Sequence, residues 1–171
     1  MKIELNETRH IWLTADWHLG HHNVIKYCNR PFKTTNEMNT TLIKNYNKIV
    51  GKNDIVYFLG DFSFLDVKST KQILDNLNGF KFLIKGNHDR RTNTAYRKLG
   101  FIEVYDKPII LGDFILSHEP FVNANSNDFK IIHGHLHNNT ELNKDNHFCC
   151  SIENTDYKPI TLQEIVKIKG W

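Results

Sequence analysis

The feature that most constrains the fold is a set of five short polar segments, each of which follows a run of apolar residues. The segments read Asp16-Trp17-His18, Gly60-Asp61, Gly86-Asn87-His88-Asp89, Ser117-His118 and Gly134-His135-Leu136-His137. Four of them follow apolar runs typical of buried strands, and the fifth follows the shorter pair Ile131-Ile132. A buried strand that ends in a carboxylate or an imidazole delivers it to one edge of a sheet, which is where open α/β sheets bind ligands.

The side chains in these segments form a recognisable set of metal ligands. Asp, His and Asn together offer hard-to-borderline donor atoms that suit Mn, Fe or Zn. The set is too rich for a single ion. The sequence therefore predicts a centre with two metal ions.

Length and composition are typical of a compact intracellular enzyme. The chain has 171 residues, which predicts one domain over residues 1–171 with a real hydrophobic core. Its three cysteines are odd in number and fit no zinc spacing, so they are interpreted as reduced thiols in a reducing compartment. No segment approaches the ~18 apolar residues of a spanning helix. The N-terminal ten residues do not resemble a signal peptide, so we expect a cytoplasmic protein without a membrane span.

Charge gives little information about partners. The formal net charge is only +3, and the clearest basic segment is short, from Lys85 to Arg91. A nucleic-acid partner is therefore possible but is not indicated by charge. Nothing in the sequence predicts the oligomeric state.

The apolar pattern predicts an alternation of strands and helices, followed by several strands. The predicted strands cover about residues 9–15, 55–59, 80–85, 101–105, 108–112, 114–118, 129–133 and 147–152. The predicted helices cover about residues 36–50, 66–77 and 92–99, and a short final helix lies within 158–169. Asn36 and Thr161 are the predicted N-caps of the first and last helix, and residues 18–33 are predicted to form a loop. This order points to a layered α/β sandwich, and a tight hairpin over residues 109–114 would make its sheets mixed.

The residue types suit the hydrolysis of phosphoesters for a physical reason. A phosphoester is anionic at neutral pH, so it repels an anionic nucleophile. Two cations about 4 Å apart would cancel that charge, acidify a bridging water to hydroxide and hold it in line with the leaving group. A carboxylate can bridge two cations, and Asp61 is the natural candidate for this role. His88, beside Asn87 and near Asp89, suits a general acid that protonates the leaving oxygen.

The five segments together resemble the pattern of the calcineurin-like metallophosphoesterases. All five blocks of that pattern occur here in order, from residue 16 to residue 137. The resemblance implies a four-layer α/β sandwich with mixed sheets, in a small, minimal member of the family. It implies one metal held by Asp16, His18, Asp61 and His137, and another held by Asp61, Asn87, His118 and His135. It also implies that His88 is catalytic and that Asp89 orients it. We expect two divalent ions, with Mn first and Fe, Zn or Co as alternatives.

Several neighbouring residues have both a functional and a structural interpretation. His21 would line the substrate cleft or belong to an exposed capping loop. Arg90 and Arg91 would clamp a phosphate or begin a solvated helix. His133 would support a metal ligand or be a plain core histidine. Arg30, followed by Pro31 and Phe32, would face a nucleobase or, as we favour, pack within its loop.

Three functional hypotheses follow. The first is a hydrolase of phosphomonoesters or phosphodiesters, with a small diester or a nucleotide favoured over a long polymer because no basic track is visible. The second is a nuclease on single-stranded or structured nucleic acid, which a band of Lys and Arg beside the metals would favour. The third is a non-catalytic metal-binding scaffold, which would have no chemical need for both the ligand set and His88.

Overall fold

The computed structural model describes residues 9–120, 129–139, 141 and 146–171. Its strands are β1 (Ile11–Thr14), β2 (Ile55–Phe58), β3 (Phe80–Ile84), β4 (Glu103–Tyr105), β5 (Ile109–Leu111), β6 (Phe114–Leu116), β7 (Lys130–His133), β8 (His147–Cys149) and β9 (Ile160–Thr161). Its α-helices are α1 (His22–Tyr27), α2 (Thr35–Ile49), α3 (Val67–Asn76), α4 (Asn93–Leu99) and α5 (Leu162–Lys169), and a short 3-10 helix covers Ile152–Asn154. None of the described helices is both long and apolar enough to cross a membrane.

The strands form two mixed sheets, as the sequence predicted. The first sheet has the order β4-β3-β2-β1-β9, in which β9 alone pairs antiparallel. The second has the order β5-β6-β7-β8, in which β5 and β6 form the predicted antiparallel hairpin and the other pairs are parallel. Gly112 makes the tight turn of that hairpin with a positive φ of 59°, a conformation that glycine adopts without a steric penalty.

Two hydrophobic clusters show how the layers stack. The first cluster joins helices α1 to α4 to one face of the first sheet, through residues such as Tyr46 on α2 and Phe58 on β2. The second cluster lies between the sheets, where Leu13 and Leu59 meet Leu116 and Ile132. Helix α5 contacts β1 and β9, and its Ile165 joins this second cluster. The α/β class with mixed sheets is confirmed. Of the four layers expected, the described residues establish the helices, the first sheet and the second sheet.

Two local predictions were wrong. Helix α2 is capped by Thr34 rather than by Asn36, and the Thr34 hydroxyl accepts a hydrogen bond from the amide of Glu37 at 3.1 Å. The sequence Thr-x-x-Glu is itself a start signal, and it is stronger than an isolated Asn. The predicted loop over residues 18–33 contains α1, which has no side-chain cap and only six residues. A helix this short shows no full period in the sequence, although its Val24 and Ile25 are buried.

The two ends of the first sheet are built differently. Before β2, the buried carboxylate of Asp54 accepts hydrogen bonds from the His10 amide (3.1 Å), the Trp12 indole (2.9 Å) and the Gly51 amide (2.8 Å). The final helix begins with a complete capping box between Thr161 and Glu164, which confirms Thr161 as its N-cap. The five polar segments all lie at the opposite end, beyond the carboxyl ends of β1, β2, β3, β6 and β7.

Candidate metal centre

The backbone takes a sharp, left-handed turn at five of the predicted ligands. These residues with positive φ are Asp16 (59°), His18 (51°), Asp61 (56°), His135 (69°) and His137 (49°). Residues other than glycine rarely adopt this conformation, and when they do they cluster at functional sites. The turns allow two side chains from one short loop to face the same point.

Glycines allow the loops to approach one another closely. A Cβ atom at Gly134 would lie 2.6 Å from the Ala15 Cβ and 2.7 Å from Asp16 Oδ2. At Gly86 a Cβ atom would overlap Asp61 Oδ1. Any larger side chain at these two positions would therefore displace a predicted ligand, which explains the glycine before each histidine or asparagine segment.

Asp16 is fully buried, and only one of its carboxylate oxygens is satisfied. Oδ2 accepts hydrogen bonds from the His135 amide (2.9 Å) and the Ser151 hydroxyl (2.6 Å), while Oδ1 has no partner among the described residues. Burial raises the pKa of Asp16, and the nearby His118 and His137 partly oppose that rise. Buried polar atoms are almost always paired, so this orphaned oxygen suits a cation.

His18 also has buried polar atoms without a described hydrogen-bond partner, in this case the two nitrogens of its ring. It is 3% exposed, and neither ring nitrogen has a hydrogen-bond partner within the described part of the chain. Burial, together with His137 and Arg30, lowers its pKa to about 2, so the imidazole is neutral and keeps a lone pair. Its Nε2 lies 3.5 Å from Asp61 Oδ2 and 3.9 Å from Asp16 Oδ1. A neutral imidazole between two carboxylates is a suitable metal ligand.

Asp61 stands between the two groups of predicted ligands. Its Oδ1 accepts a hydrogen bond from the His88 amide at 2.9 Å. Its Oδ2 lies 3.5 Å from His18 Nε2 on one side and 3.6 Å from His118 Nε2 on the other. One carboxylate oxygen therefore faces an imidazole from each predicted ligand set.

The second group converges around His118. Its Nδ1 donates to the Leu59 carbonyl at 2.9 Å, since that carbonyl can only accept, and this directs Nε2 into the site. His118 Nε2 lies 2.9 Å from Asn87 Oδ1 and 3.2 Å from His135 Nδ1. Acceptor atoms that converge in this way need a proton or a cation among them. The residue types and the unpaired atoms thus fit divalent metal ions.

A buried ion-pair network that the sequence analysis missed holds His137. Its Nδ1 donates to Glu153 Oε1 at 2.9 Å, and the same oxygen accepts from Arg30 Nε (2.9 Å) and Nη2 (2.7 Å). Burial lowers the pKa of His137, but hydrogen bonds with Cys28 and Glu153 outweigh it and raise the pKa to about 10. Arg30 also donates to the carbonyls of Asp16 (2.7 Å) and Trp17 (3.0 Å). Arg30 is therefore buried in contacts with neighbouring segments, which agrees with the structural interpretation that we favoured over contact with a nucleobase.

Asp89 has a different set of partners from the one predicted. Its carboxylate accepts hydrogen bonds from the amides of Asp61 (2.7 Å), Gly86 (3.0 Å) and Phe62 (3.3 Å), and from the Tyr96 hydroxyl (3.1 Å). These bonds join the loop after β2 to the loop after β3. Among the described contacts, Asp89 therefore positions the backbone of Asp61 rather than the ring of His88.

The comparisons with known proteins agree with this geometry. A family model described as calcineurin-like phosphoesterase matches residues 9–169. The chain belongs to this family. Its members are generally hydrolases that depend on divalent metals.

Alignments with individual relatives cover most of the chain. An uncharacterized protein of Methanocaldococcus jannaschii is 42% identical over 169 residues, covering 94% of this chain and 91% of the relative. The gene 66 protein of Mycobacterium phage L5 is 27% identical, covering 80% of this chain and 81% of the relative. The crystal structure of a protein of unknown function from Aquifex aeolicus matches with a TM-score of 0.74 and 28% identity, covering 94% of this chain and 100% of that one.

The structure brings two overlapping groups of the predicted ligands together. Asp16, His18 and His137 each offer a donor atom within 4.8 Å of the others, and so do Asp16, Asp61 and His118. Cys28 and Glu153 form a third such group with His137. All three cysteines are buried, and none of them forms a disulfide. His133 is buried and donates from Nδ1 to the Gly134 carbonyl (2.8 Å), which places it against the loop that carries His135.

Two cavities flank the candidate metal centre. One of about 610 Å³ lies on the Asn87 and His118 side and is also lined by Lys85, Asp106, Lys107 and Glu119. The other, of about 510 Å³, is lined by Ser63, Phe64, His88, Arg90 and Arg91. Of the predicted substrate-binding residues, Arg90 and Arg91 line this second cavity. His21 instead stacks on the ring of Phe64 at a centroid distance of 4.4 Å.

Proposed function

We propose that the protein is a binuclear metal-dependent phosphoesterase that hydrolyses a phosphomonoester or a phosphodiester, with a small diester or a nucleotide favoured. Asp16, His18, Asp61 and His137 would hold one divalent ion, and Asp61, Asn87, His118 and His135 would hold the other. Mn²⁺ is the expected ion, with Fe, Zn or Co as alternatives.

One observation carries the proposal. Asp61 Oδ2 lies 3.5 Å from His18 Nε2 and 3.6 Å from His118 Nε2, so a single oxygen borders both ligand sets. Its partner oxygen is occupied by the His88 amide, which fixes the orientation of the carboxylate. This arrangement supports a bridging role for Asp61.

The chain's own residues would divide the remaining work. When bound, the ions supply positive charge that offsets the anionic phosphoester and acidifies water. His88, whose side chain is 37% exposed and whose Nε2 is 4.0 Å from Asp61 Oδ2, would donate a proton to the leaving oxygen. Asp89 would keep the Asp61 loop in place, and Arg30 with Glu153 would keep His137 oriented.

The charges around the site favour a small substrate. A nuclease would need a continuous row of free cations to follow a polymer backbone. Lys85 instead pairs with Asp106 at 3.0 Å, and Arg91 donates to the Leu65 carbonyl at 2.7 Å. A non-catalytic metal-binding scaffold would use the unpaired nitrogen atoms of His18, but it would leave the accessible ring of His88 without a purpose.

The decisive experiment adds single divalent metals to metal-stripped protein and measures hydrolysis of a panel of phosphomonoesters, phosphodiesters and single-stranded oligonucleotides. We expect activity to return with about two ions per chain, first with Mn²⁺, and to be highest on small diesters or nucleotides. Preferred cleavage of oligonucleotides would support the nuclease. Stoichiometric metal binding without any hydrolysis would support the scaffold.

A further inference from the structure

An exposed aromatic ring beside His88 has no role in the proposed chemistry so far. Phe64 follows the Asp61 segment and is 44% exposed, although the chain buries Phe58 and Phe62 completely. Its ring centroid lies 5.2 Å from that of His88. A single exposed apolar side chain is ordinary on a protein surface, but Phe64 borders the cavity that His88 also lines.

The ring of Phe64 is held in place before any ligand arrives. Its amide donates to the Leu19 carbonyl at 2.9 Å, and the Leu19 amide donates to the Phe62 carbonyl at 3.1 Å. The His21 ring stacks on Phe64 with an angle of 17° between the planes, and the His18 ring lies nearly parallel at 5.4 Å. A ring that is already fixed loses little conformational entropy when another ring stacks on it.

The cavity beside this ring has the size and lining of a binding site. Its volume of about 510 Å³ falls in the range of pockets that hold small ligands. Arg91 is tied to the Leu65 carbonyl and lies over the Tyr96 ring. Arg90 is exposed and makes no ion pair with any described residue, so its guanidinium is free to meet a polar or anionic group.

The position of His88 determines which part of the substrate enters this cavity. During hydrolysis an oxygen from water bonds to phosphorus and releases a proton to solvent, the bond from phosphorus to the leaving oxygen breaks, and His88 gives its proton to that oxygen. A general acid must lie within hydrogen-bond reach of the atom that it protonates. With His88 as the acid, the leaving group would occupy the cavity that His88 lines, and the remainder of the substrate would extend toward the Asn87 side.

We propose that the cavity lined by Phe64, His88 and Arg90 is a subsite for leaving alcohols that carry a planar aromatic ring, of which a nucleoside is the common biological example. The ring would stack on Phe64, and Arg90 would bind its polar or anionic substituents. The assignment to the leaving group rests on the proposed function, with His88 as the acid. The preference for an aromatic ring rests on Phe64 alone.

The first test compares benzyl methyl phosphate with cyclohexylmethyl methyl phosphate, whose leaving alcohols have similar size and acidity but differ in aromaticity. In Mn²⁺-loaded protein, we expect Phe64→Leu to lower the ratio of the two kcat/KM values by about 2- to 10-fold, the size of an aromatic pair's contribution. Phe64→Trp should retain the ratio. Phe80→Leu is the matched control, because Phe80 is 39% exposed at the opposite end of β3. An unchanged ratio in Phe64→Leu would overturn the proposal.

The second test measures binding without catalysis. Calorimetry of Mn²⁺-loaded protein should give tighter binding of adenosine monophosphate than of ribose 5-phosphate, and Phe64→Leu should remove most of that difference. If the protein hydrolyses none of the panel of phosphoesters but this preference depends on Phe64, the proposed function fails and the aromatic subsite stands. If the wild-type protein binds both phosphates equally, the aromatic subsite is wrong even when hydrolysis occurs.

Discussion

The two ends of strand β2 carry buried aspartates in opposite situations. Asp54, just before the strand, is 4% exposed, and three N–H groups donate to its carboxylate. Asp61, just after it, is 2% exposed and directs one oxygen at two imidazoles. The carboxylate of Asp54 is hydrogen-bonded by groups of the protein itself. The Oδ2 atom of Asp61 instead faces two imidazoles, an arrangement that suits a bound cation.

The pKa values of buried aspartates show the same contrast. Burial tends to raise the pKa of Asp54, but hydrogen bonds from Gly51, His10 and Trp12 outweigh burial and lower it. At the other end of the sheet, burial dominates and raises the pKa of Asp16. A carboxylate that folding alone leaves destabilised gains most from a cation. We infer that the polar groups at the amino end of the first sheet stabilise the folded protein. Those at its carboxyl end are placed to bind metal ions, at a cost in stability when no ion is bound.

The sharpest test of this contrast removes each aspartate in turn. Asp61→Ala should lower metal-dependent hydrolysis by more than about 1,000-fold and abolish binding of at least one ion, because each cation supplies several kcal/mol of charge stabilisation. Asp54→Ala should lower the melting temperature while the folded fraction keeps its metals and its turnover. Metal content measured on both purified variants decides the matter. Two ions at full occupancy in Asp61→Ala would remove the bridging role.

His88 tests whether different residues at the carboxyl end of the sheet bind the metals and donate the proton. His88→Gln should reduce the rate by roughly 100- to 10,000-fold for substrates with poor leaving groups. The reduction should be much smaller for a nitrophenyl ester, whose leaving group needs no proton. Metal content should be nearly unchanged, since His88 lies outside both ligand sets. Equal rate losses for both kinds of leaving group would instead indicate stabilisation of the transition state by His88.

Glu153 tests whether a buried carboxylate orients a predicted metal ligand, His137, at the carboxyl end of the sheet. Glu153→Gln should weaken binding of the ion held by His137 by about 10- to 100-fold, the usual effect of removing a group that orients a ligating histidine. A chelator competition measures this affinity, with the exposed Glu103→Gln as the matched control. A lower melting temperature of the metal-free variant with no change in metal affinity would limit Glu153 to a structural role.

Most of the fold was predictable because its signals are local. Apolar runs next to polar segments marked β1, β2, β3, β6 and β7, and every predicted helix lies within two residues of an observed one apart from the imprecise start of α5. Helix α1 and the two-residue strand β9 were not predicted. Both are too short to show a period, and β9 is defined by its pairing with β1 rather than by its own sequence.

The candidate site was predictable only as far as its motifs extend. The left-handed turns at residues such as Asp16 and His135 cannot be seen in a sequence, although the neighbouring glycines hint at close packing. Glu153 was missed because its partner Arg30 lies 123 positions away. Phe64 was missed because nothing in the sequence after Gly-Asp distinguishes an exposed aromatic ring, such as Phe64, from a buried one, such as Phe62.

The smallest expected effect concerns Asp54 and the pH dependence of folding. Because its folded-state pKa lies below the unfolded value, Asp54 contributes stability that is present above about pH 4 and is lost as the pH falls further. Asp54→Asn retains the shape but exchanges one acceptor oxygen for an amide that cannot accept from Trp12 or Gly51. We therefore expect the free energy of unfolding at pH 7 to fall by about 1–3 kcal/mol. The difference from wild type should shrink below about pH 4, where the wild-type carboxylate becomes protonated.

Denaturant unfolding of metal-free protein between pH 3 and pH 7 measures this difference. Asp75→Asn is the control, since Asp75 forms an exposed ion pair with Lys71, and such pairs contribute about 0–1 kcal/mol. Metal affinity and turnover should not change in Asp54→Asn, because Asp54 lies at the opposite end of the strand from the site. A loss of metal affinity in this variant would show that the two ends of the sheet are coupled. The division of the sheet into a stabilising end and a metal-binding end would then be wrong.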